Sequence, residues 1–249
     1  MDSAWEALLG SLPALSDEEK AQLDGPGFVI FPRLIDDAWR DRLLARLEQL
    51  FVEEGSDAGR EVHQAQGTRR LANLVDKGEV FAGVYQHPRV LAAVYHLLRR
   101  PFKLSSLNAR DALPGAGGQG LHADWGKRDL SQPFSVVNSL WMLDDLTEEN
   151  GATRLIPGSQ HLVGAPSDYV DPLAPHPGQV LAVAPAGSVL VWNAHTWHGG
   201  TENRSSGSRR ALHCYYVARE HPQQTEQARF LSDGTKRHLR PEERYLLDL

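Results

Sequence analysis

Two histidines and one aspartate stand at a spacing that suits a metal site. His122 and Asp124 are separated by one residue, and His198 lies 74 positions after Asp124. Such a set can occupy one face of an iron(II) octahedron and leave the opposite face open for a cosubstrate and dioxygen. Arg209, eleven positions beyond His198, offers a planar guanidinium that can bind a carboxylate through two parallel hydrogen bonds. Together these residues predict an iron-dependent oxygenase.

His122 and Asp124 share a face if their segment is extended, because side chains two positions apart then point the same way. The glycine-rich residues 114–120 give this segment a flexible approach. Chance alone supplies such a pair, since 11 histidines and 32 acidic residues among 249 give roughly 1.4 His-x-acid pairs. The motif therefore predicts two ligands of one metal, with an ordinary surface pair as the alternative.

The third ligand has to come from a strand that is distant in sequence. The apolar run 187–193 predicts a strand that leads toward His195 and His198. The glycines at 199–200 then permit a tight bend. The returning strand begins near Arg209, where an arginine can face back toward the metal. His198 is favoured for this reason. The other candidates are interpreted as a packing or second-layer residue (His195) and as a residue that either lines the pocket or is buried (His213).

The elements that must position these residues differ between the two parts of the chain. Ser16 and Glu19 form a capping box that starts a short helix, and a brief strand is predicted at 28–32. Helical spacing of apolar residues predicts an amphipathic helix over 37–53, and Pro88 occupies the first position of another helix. The first hundred residues are therefore expected to be mainly helical.

Beyond Pro101, short apolar segments alternate with Gly, Pro and Asn turns, which is typical of an antiparallel sandwich or barrel. Two long polar stretches, 53–70 and 159–178, are predicted either to form lids over a site or to be plain surface loops. The predicted strands are 102–110, 134–143, 153–156, 179–184, 188–193 and 210–217.

Composition narrows the class of partner. The formal net charge is −6 without a basic stripe, so nucleic acid is not expected as a partner. No apolar run approaches the roughly 18 residues of a membrane span, and the first residues lack the pattern of a signal peptide. The single cysteine, Cys214, fits a reducing compartment and is expected to be a small buried hydrophobe. We expect a cytoplasmic protein, monomeric or homodimeric, that acts on a small molecule.

The chain resembles the phytanoyl-CoA dioxygenase family of iron(II)/2-oxoglutarate oxygenases over nearly its whole length. The segment that starts at Trp141 is the most specific, because Asn-Gly followed by Pro-Gly-Ser in this frame is hard to obtain by accident. The segments that carry the resemblance are Gly25-Pro-Gly-Phe-Val-Ile-Phe-Pro32, Gly118-Gln-Gly-Leu-His-Ala-Asp124, Trp141-Met-Leu-Asp-Asp-Leu-Thr-Glu-Glu-Asn-Gly-Ala-Thr-Arg-Leu-Ile-Pro-Gly-Ser159 and His198-Gly-Gly-Thr-Glu-Asn-Arg-Ser205 with Arg209.

The resemblance implies a mainly β fold with flanking helices around a double-stranded β-helix, the jelly roll also found in cupins. It implies one domain over 1–249, with helical support in 1–100, the jelly-roll core in 101–220 and a helical tail in 221–249. It also implies Fe(II), O2 and 2-oxoglutarate as cofactor and cosubstrates. The implied iron ligands are His122, Asp124 and His198, and the implied 2-oxoglutarate contacts are Arg209, Gln119, Thr153 and Arg70.

The expected reaction is hydroxylation of an unactivated C–H bond in tailoring of a natural product or amino acid. Asp124 favours oxygenation, since related halogenases carry Gly or Ala there, whereas desaturation, epoxidation and endoperoxide formation stay open. Candidate substrate-pocket residues are Asn108, Arg110, Trp141 and His213, together with the 53–75 stretch. Arg69, Arg70 and Arg110 are interpreted either as anion-binding or as solvated charges, and Trp141 either as a pocket wall or as core. The alternative classes are a cupin-like isomerase or hydrolase without 2-oxoglutarate and a non-catalytic binding module.

Overall fold

The computed structural model describes residues 3–62 and 67–249. The predicted polar stretch 53–70 therefore lies partly outside the described residues, at 63–66. The helices are α1 (Ser3–Gly10), α2 (Asp17–Asp24), α3 (Asp37–Glu54), α4 (Ala82–Tyr85), α5 (Pro88–Leu98), α6 (Gln227–Phe230), α7 (Asp233–His238) and α8 (Pro241–Leu247). The strands are β1 (Phe28–Phe31), β2 (Thr68–Leu71), β3 (Phe102–Ala112), β4 (Val136–Met142), β5 (Thr153–Leu155), β6 (Val180–Leu181), β7 (Val189–Asn193), β8 (His198–Gly200) and β9 (Arg209–Ala218).

Two antiparallel sheets face each other, as in a double-stranded β-helix. The larger sheet has the strand order β1-β7-β4-β9-β3-β2, and the smaller has β6-β5-β8. His122 and His198 form an additional bridge, which adds the segment around His122 to the edge of the smaller sheet beside β8. Both sheets contain neighbouring strands that are not consecutive in the chain. Residues that are distant in sequence therefore lie side by side, and this pairing assembles the site.

The outer face of the larger sheet packs against helices. Alternate residues of its central strands, such as Val137, Val191 and Leu212, join the main hydrophobic cluster with Leu43 of α3 and Leu91 of α5. The capping box at Ser16 and the helix that starts at Pro88 are both present, so these predictions are confirmed.

The inner face of the larger sheet meets the smaller sheet. Leu140, Leu190 and Trp192 pack there against Leu155 and Ala182. Both faces of β4 and β7 are covered, so these two strands carry apolar residues on both faces and are buried along their full length.

The predicted strands after Pro101 are all present, with ends that differ by a few residues. β2 was not predicted, because its residues, Thr68-Arg-Arg-Leu71, lack an apolar alternation. Within 3–62 and 67–249, every helix is too short or too polar to cross a membrane.

Candidate metal centre

His122 and His198 are fixed opposite each other by the backbone. The amide of each donates a hydrogen bond to the carbonyl of the other, both at 2.9 Å, and the rings lie 4.4 Å apart between centroids. His198 is the first residue of β8, whereas His122 follows the glycine-rich segment 114–120. The two predicted histidine ligands, 76 positions apart in the chain, are thus cross-strand neighbours.

Both imidazoles are held by the same kind of hydrogen bond. The Nδ1 atom of His122 lies 2.9 Å from the carbonyl of Gly120, and that of His198 lies 2.8 Å from the carbonyl of Thr196. A carbonyl only accepts, so each Nδ1 carries the proton and donates it. Each Nε2 is therefore left with a free lone pair, which is how carbonyl partners orient metal-bound histidines. The ring of Trp192 packs edge-on against His198, 5.1 Å away between centroids.

Asp124 completes the set two positions after His122. Its amide donates to the carbonyl of Ala194, and its Oδ1 lies 3.7 Å from His122 Nε2 and 3.6 Å from His198 Nε2. Asn138 Nδ2 donates to the other carboxylate oxygen, Oδ2, at 3.2 Å. The carboxylate is thus oriented so that one oxygen faces the two histidines.

These three side chains fit an octahedral metal ion. Their ligand atoms all lie within 4.8 Å of one another. Neighbouring ligands of an octahedral ion at about 2.1 Å would lie roughly 3.0 Å apart, so the carboxylate oxygen, now 3.7 and 3.6 Å from the two nitrogens, needs to approach each by about 0.6–0.7 Å. Among the described residues, no other group of histidine, cysteine and acidic side chains converges in this way.

Electrostatics favour a cation at this point. Burial opposes ionisation of Asp124, but the adjacent His198, His122 and Asn138 outweigh it and lower the pKa of Asp124 to about 2. Burial lowers the pKa of His122, and His198 lowers it further. Burial also acts to lower the pKa of His198, but Asp124 outweighs it and raises that pKa. An ionised carboxylate between two imidazoles is a donor set that attracts a divalent metal.

The three ligands line a cavity of about 150 Å³ between the sheets. The predicted residues Gln119, Thr153, Arg70, Asn108, Arg110, Arg209 and His213 line the same cavity. Sequence reasoning missed Ala109, Asn138, Trp192 and Gly200. Asn138 had a usable signal, because it is a polar side chain inside a strand that is otherwise nearly apolar.

Arg209 is almost completely buried, with 1% of its surface exposed. Its Nε atom has no hydrogen-bond partner among the described residues. Burial lowers the pKa of Arg209, and the carboxylates of Asp111 and Asp144 partly offset this. A buried cation is costly without a partner, so this guanidinium is suited to receive an anion from within the cavity.

Gln119 and Arg110 are held together. The Oε1 atom of Gln119 accepts hydrogen bonds from Arg110 Nη1 and from the amide of Gly200, the latter at 3.2 Å, and Arg110 Nη2 donates to the carbonyl of Gly117 at 2.8 Å. Thr153 lies opposite Gly200 in the smaller sheet, and Arg70 lies opposite Arg110 in the larger one.

Trp141 and Arg69 lie outside the cavity. Trp141 does not line the cavity; the alternative interpretation, that it is a core residue, is confirmed, because it lies buried on the outer face of β4, where its ring contacts Trp39 and His87. Arg69 lies on the face of β2 opposite to Arg70 and pairs with Glu48 and Asp111, so its charge is neutralised.

Gly199 and Gly200 form no bend, because both belong to the extended strand β8. They are needed for close approach instead. A Cβ atom at Gly199 would lie 2.9 Å from the carbonyl oxygen of Gly120, and one at Gly200 would lie 2.6 Å from that of Gly117. These two glycines let the glycine-rich segment lie against β8 and so hold His122 next to His198.

His195 is not part of the ligand set. It is 2% exposed, and its Nε2 accepts a hydrogen bond from the amide of Ser135 at 3.2 Å. Burial lowers its pKa to about 4. The interpretation of His195 as a packing residue is confirmed, as is the burial of Cys214.

The predicted loop 159–178 borders the metal segment. The carbonyl of Pro172 accepts a hydrogen bond from the amide of Leu121, next to His122, and also from Arg154 Nη2, both at 2.8 Å. The side chain of Leu173 lies close to Gly120 and is largely exposed. The position of this loop suits a lid, and that role stays a prediction.

Comparison with known proteins agrees with this arrangement. The family model of phytanoyl-CoA dioxygenase (PhyH) matches residues 23–211. The dioxygenase trt7 of Aspergillus terreus is 32% identical over 226 residues, which span 85% of this chain and 77% of that protein. The L-proline trans-4-hydroxylase of Streptomyces griseoviridis is 26% identical over 234 residues, spanning 78% of this chain and 84% of that enzyme. The structure of HygX from Streptomyces hygroscopicus with nickel and 2-oxoglutarate bound superposes with a TM-score of 0.70 at 19% identity and covers 85% of this chain and 90% of that one, which shows a shared fold.

Proposed function

The chain is a dioxygenase of the phytanoyl-CoA dioxygenase family, which uses iron(II) and 2-oxoglutarate, and we propose that it hydroxylates an unactivated C–H bond of a small metabolite. The observation that carries the proposal is the convergence of three ligand atoms in one cavity with a buried arginine whose Nε has no hydrogen-bond partner among the described residues. A metal site alone would suit an isomerase or a hydrolase equally well. The buried Arg209 adds a site for a carboxylate.

His122, Asp124 and His198 would hold the iron. Two imidazole nitrogens and one carboxylate oxygen leave three coordination positions for 2-oxoglutarate and dioxygen. Asn138 keeps the second oxygen of Asp124 engaged, which favours binding of the metal through one oxygen. When bound, the iron and 2-oxoglutarate supply the activation of dioxygen, with release of succinate and CO2. The protein positions the substrate and excludes water.

Arg209 would bind the distal carboxylate of 2-oxoglutarate. Gln119 and Thr153 line the same cavity and are suited to donate hydrogen bonds to the cosubstrate, and Arg70 would reach its other carboxylate. The oxygen of the Gln119 amide is already engaged by Arg110, so its NH2 group is the part left for a ligand.

Small molecules are the substrate class that we propose. The related proline hydroxylase acts on an amino acid, and HygX has been crystallised with hygromycin B, so this fold accommodates substrates of very different size. The buried, unpaired Cys214 supports a reducing compartment such as the cytoplasm. We also propose that the enzyme works as a monomer or homodimer, without nucleic acid or membrane partners.

The proposal is tested by incubating the protein with Fe(II), 2-oxoglutarate, isotopically labelled dioxygen and a pool of small metabolites. We expect succinate to be released and a product to gain one labelled oxygen atom, and neither to occur with His198→Ala. His195→Gln is the matched control, because His195 is a nearby buried histidine outside the ligand set. Conversion of a metabolite without consumption of 2-oxoglutarate would instead indicate a hydrolase or isomerase.

A further inference from the structure

The cavity holds far more positive than negative charge. Among the described residues that line it, Arg70, Arg110 and Arg209 are cationic, and Asp124 is the only acidic residue. Burial, Arg209 and Arg70 together lower the pKa of Arg110 to about 9, which still leaves Arg110 charged at neutral pH. Its hydrogen-bond partners, Gln119 and a carbonyl, are both uncharged.

Iron and 2-oxoglutarate do not balance this charge. Three arginines and ferrous iron against one aspartate leave four positive charges, and the two carboxylates of 2-oxoglutarate neutralise only two of them. Arg209 and Arg70 take part in cosubstrate binding under the proposed function. Arg110 is then a buried cation with no anionic partner in the described part of the chain, and an unpaired buried charge is costly.

The polar groups around Arg110 also offer atoms to a ligand. Asn108 Oδ1 accepts from the amide of Asn73 at 3.3 Å. The NH2 group of Asn108 donates to no residue within 3–62 and 67–249, so it can donate to a ligand. His213 lies opposite Asn108 in the larger sheet, and its Nε2 is buried without a hydrogen-bond partner among the described residues. Asn138 Oδ1 accepts no hydrogen bond from the residues that the structure describes, but it belongs to the residue that holds Asp124.

We propose that the substrate carries an anionic oxygen group, a carboxylate or a phosphate, which binds at Arg110, Asn108 and His213. This inference rests on the proposed function, since the charge balance includes iron and 2-oxoglutarate. An anionic substrate group excludes neutral and cationic metabolites, which membership of the dioxygenase family alone would allow. The anionic group would anchor one end of the substrate so that a C–H bond further along it faces the iron.

The test uses the protein loaded with 2-oxoglutarate and with Co(II) in place of iron. Co(II) is paramagnetic and therefore affects the NMR relaxation of nearby protons. Acetate and acetamide are matched in size and differ in charge. The relaxation of their methyl protons in NMR reports binding close to the metal, and inorganic phosphate is added as a competitor. We expect acetate to bind at least tenfold more tightly than acetamide, because a charge-assisted hydrogen bond contributes about tenfold to a hundredfold in affinity. Displacement of acetate by phosphate at a lower concentration than that of acetate would identify phosphate as the group.

Single substitutions test whether the anion binds at Arg110 and Asn108. Arg110→Gln should abolish the preference for acetate over acetamide, whereas Arg42→Gln, which removes a charge from the exposed side of α3, should keep it. Asn108→Leu keeps every charge and should weaken acetate binding several-fold, which serves as a second test if Arg110→Gln does not fold.

Two results would overturn the inference. One is equal binding of acetate and acetamide by the unmodified protein, including failure of both to bind. The other is a preference for acetate that survives in Arg110→Gln, since acetate would then bind the metal directly. The visible charge-transfer band that iron(II) and 2-oxoglutarate give is measured separately without any probe. Its absence would count against the proposed function, whereas its presence without an acetate preference would count against this inference alone.

Discussion

Replacement of Arg209 by methionine separates the role of this residue in cosubstrate binding from any role in folding. Arg209 is the first residue of β9, is 1% exposed, and has an Nε atom without a hydrogen-bond partner among the described residues. Methionine has a similar length and no charge. In the protein without 2-oxoglutarate, the substitution removes a buried cation whose Nε has no hydrogen-bond partner among the described residues.

Arg209→Met should weaken the binding of 2-oxoglutarate but should not destabilise the protein without it. Removing one partner of a buried, hydrogen-bonded charge pair costs about 2–5 kcal/mol, so the dissociation constant for 2-oxoglutarate should rise about 30-fold to several thousand-fold. Replacing buried charge by an apolar side chain is often neutral or stabilising by about 1–4 kcal/mol. Without 2-oxoglutarate, Arg209→Met should therefore unfold at the same temperature as the unmodified protein or at a higher one.

Thermal unfolding of the nickel-loaded protein measures both effects. At a 2-oxoglutarate concentration of about 100 times its dissociation constant, the unmodified protein gains about 2.7 kcal/mol, which corresponds to a rise of roughly 5–10 °C in Tm. Arg209→Met should show at most about a third of this rise, since an affinity about 30-fold weaker leaves about 0.9 kcal/mol at the same concentration. The control is Arg210→Met, because Arg210 is adjacent, faces the other side of the sheet and pairs with Asp144 and Glu48. That variant should lose stability and keep the rise.

The reasoning is refuted if Arg209→Met binds 2-oxoglutarate within about threefold of the unmodified protein, which is less than one hydrogen bond contributes. It is equally refuted if Arg209→Met is strongly destabilised without the cosubstrate, because Arg209 would then be a structural residue whose partners lie in the protein.

Three further predictions follow from single contacts. Asn138→Leu removes the hydrogen bond that orients Asp124 and should weaken Fe(II) binding about tenfold to a hundredfold in a metal-competition titration; an unchanged affinity would mean that this contact is dispensable. Gly199→Ala places a methyl group 2.9 Å from the carbonyl of Gly120 and should reduce both metal affinity and the free energy of unfolding, the latter by about 1–3 kcal/mol; full retention of both would show that the segment can move aside. Burial lowers the pKa of His195 to about 4, below the roughly 6.5 of an unfolded chain, so stability should fall as pH drops from about 6.5 to about 4. His195→Gln should reduce that slope by up to about 1.4 kcal/mol per pH unit, and denaturant unfolding at several pH values would reveal an unaltered slope if the assignment is wrong.

The metal site could be predicted because its signals are local. The two-residue spacing of His122 and Asp124 gives a shared face on an extended segment, and the position of Arg209 relative to His198 selects one histidine among three. Their meeting in space depends on pairing across the smaller sheet, which spacing does not encode. In this chain the resemblance to a family supplied that step, and the structure agrees with it.

The errors have a common physical origin. Trp141 was a plausible pocket residue because β4 carries apolar residues on both faces, so alternation cannot tell the two faces apart. The glycines at 199–200 were interpreted as a bend, whereas their small size serves a neighbouring backbone that arrives from 80 positions earlier in the chain. Both facts depend on what lies opposite a residue, and that becomes visible only when the sheets are assembled.

An anaerobic titration of the protein with Fe(II) and 2-oxoglutarate tests the central claim most directly. We predict a visible metal-to-ligand charge-transfer band that needs both additions, is lost in His198→Ala and Asp124→Ala, and is kept in His195→Gln. Chelation of 2-oxoglutarate by an iron held on these ligands produces such a band, whereas a metal bound elsewhere does not. A folded protein that binds Fe(II) and shows no band, or a band that persists in both ligand variants, would contradict the account.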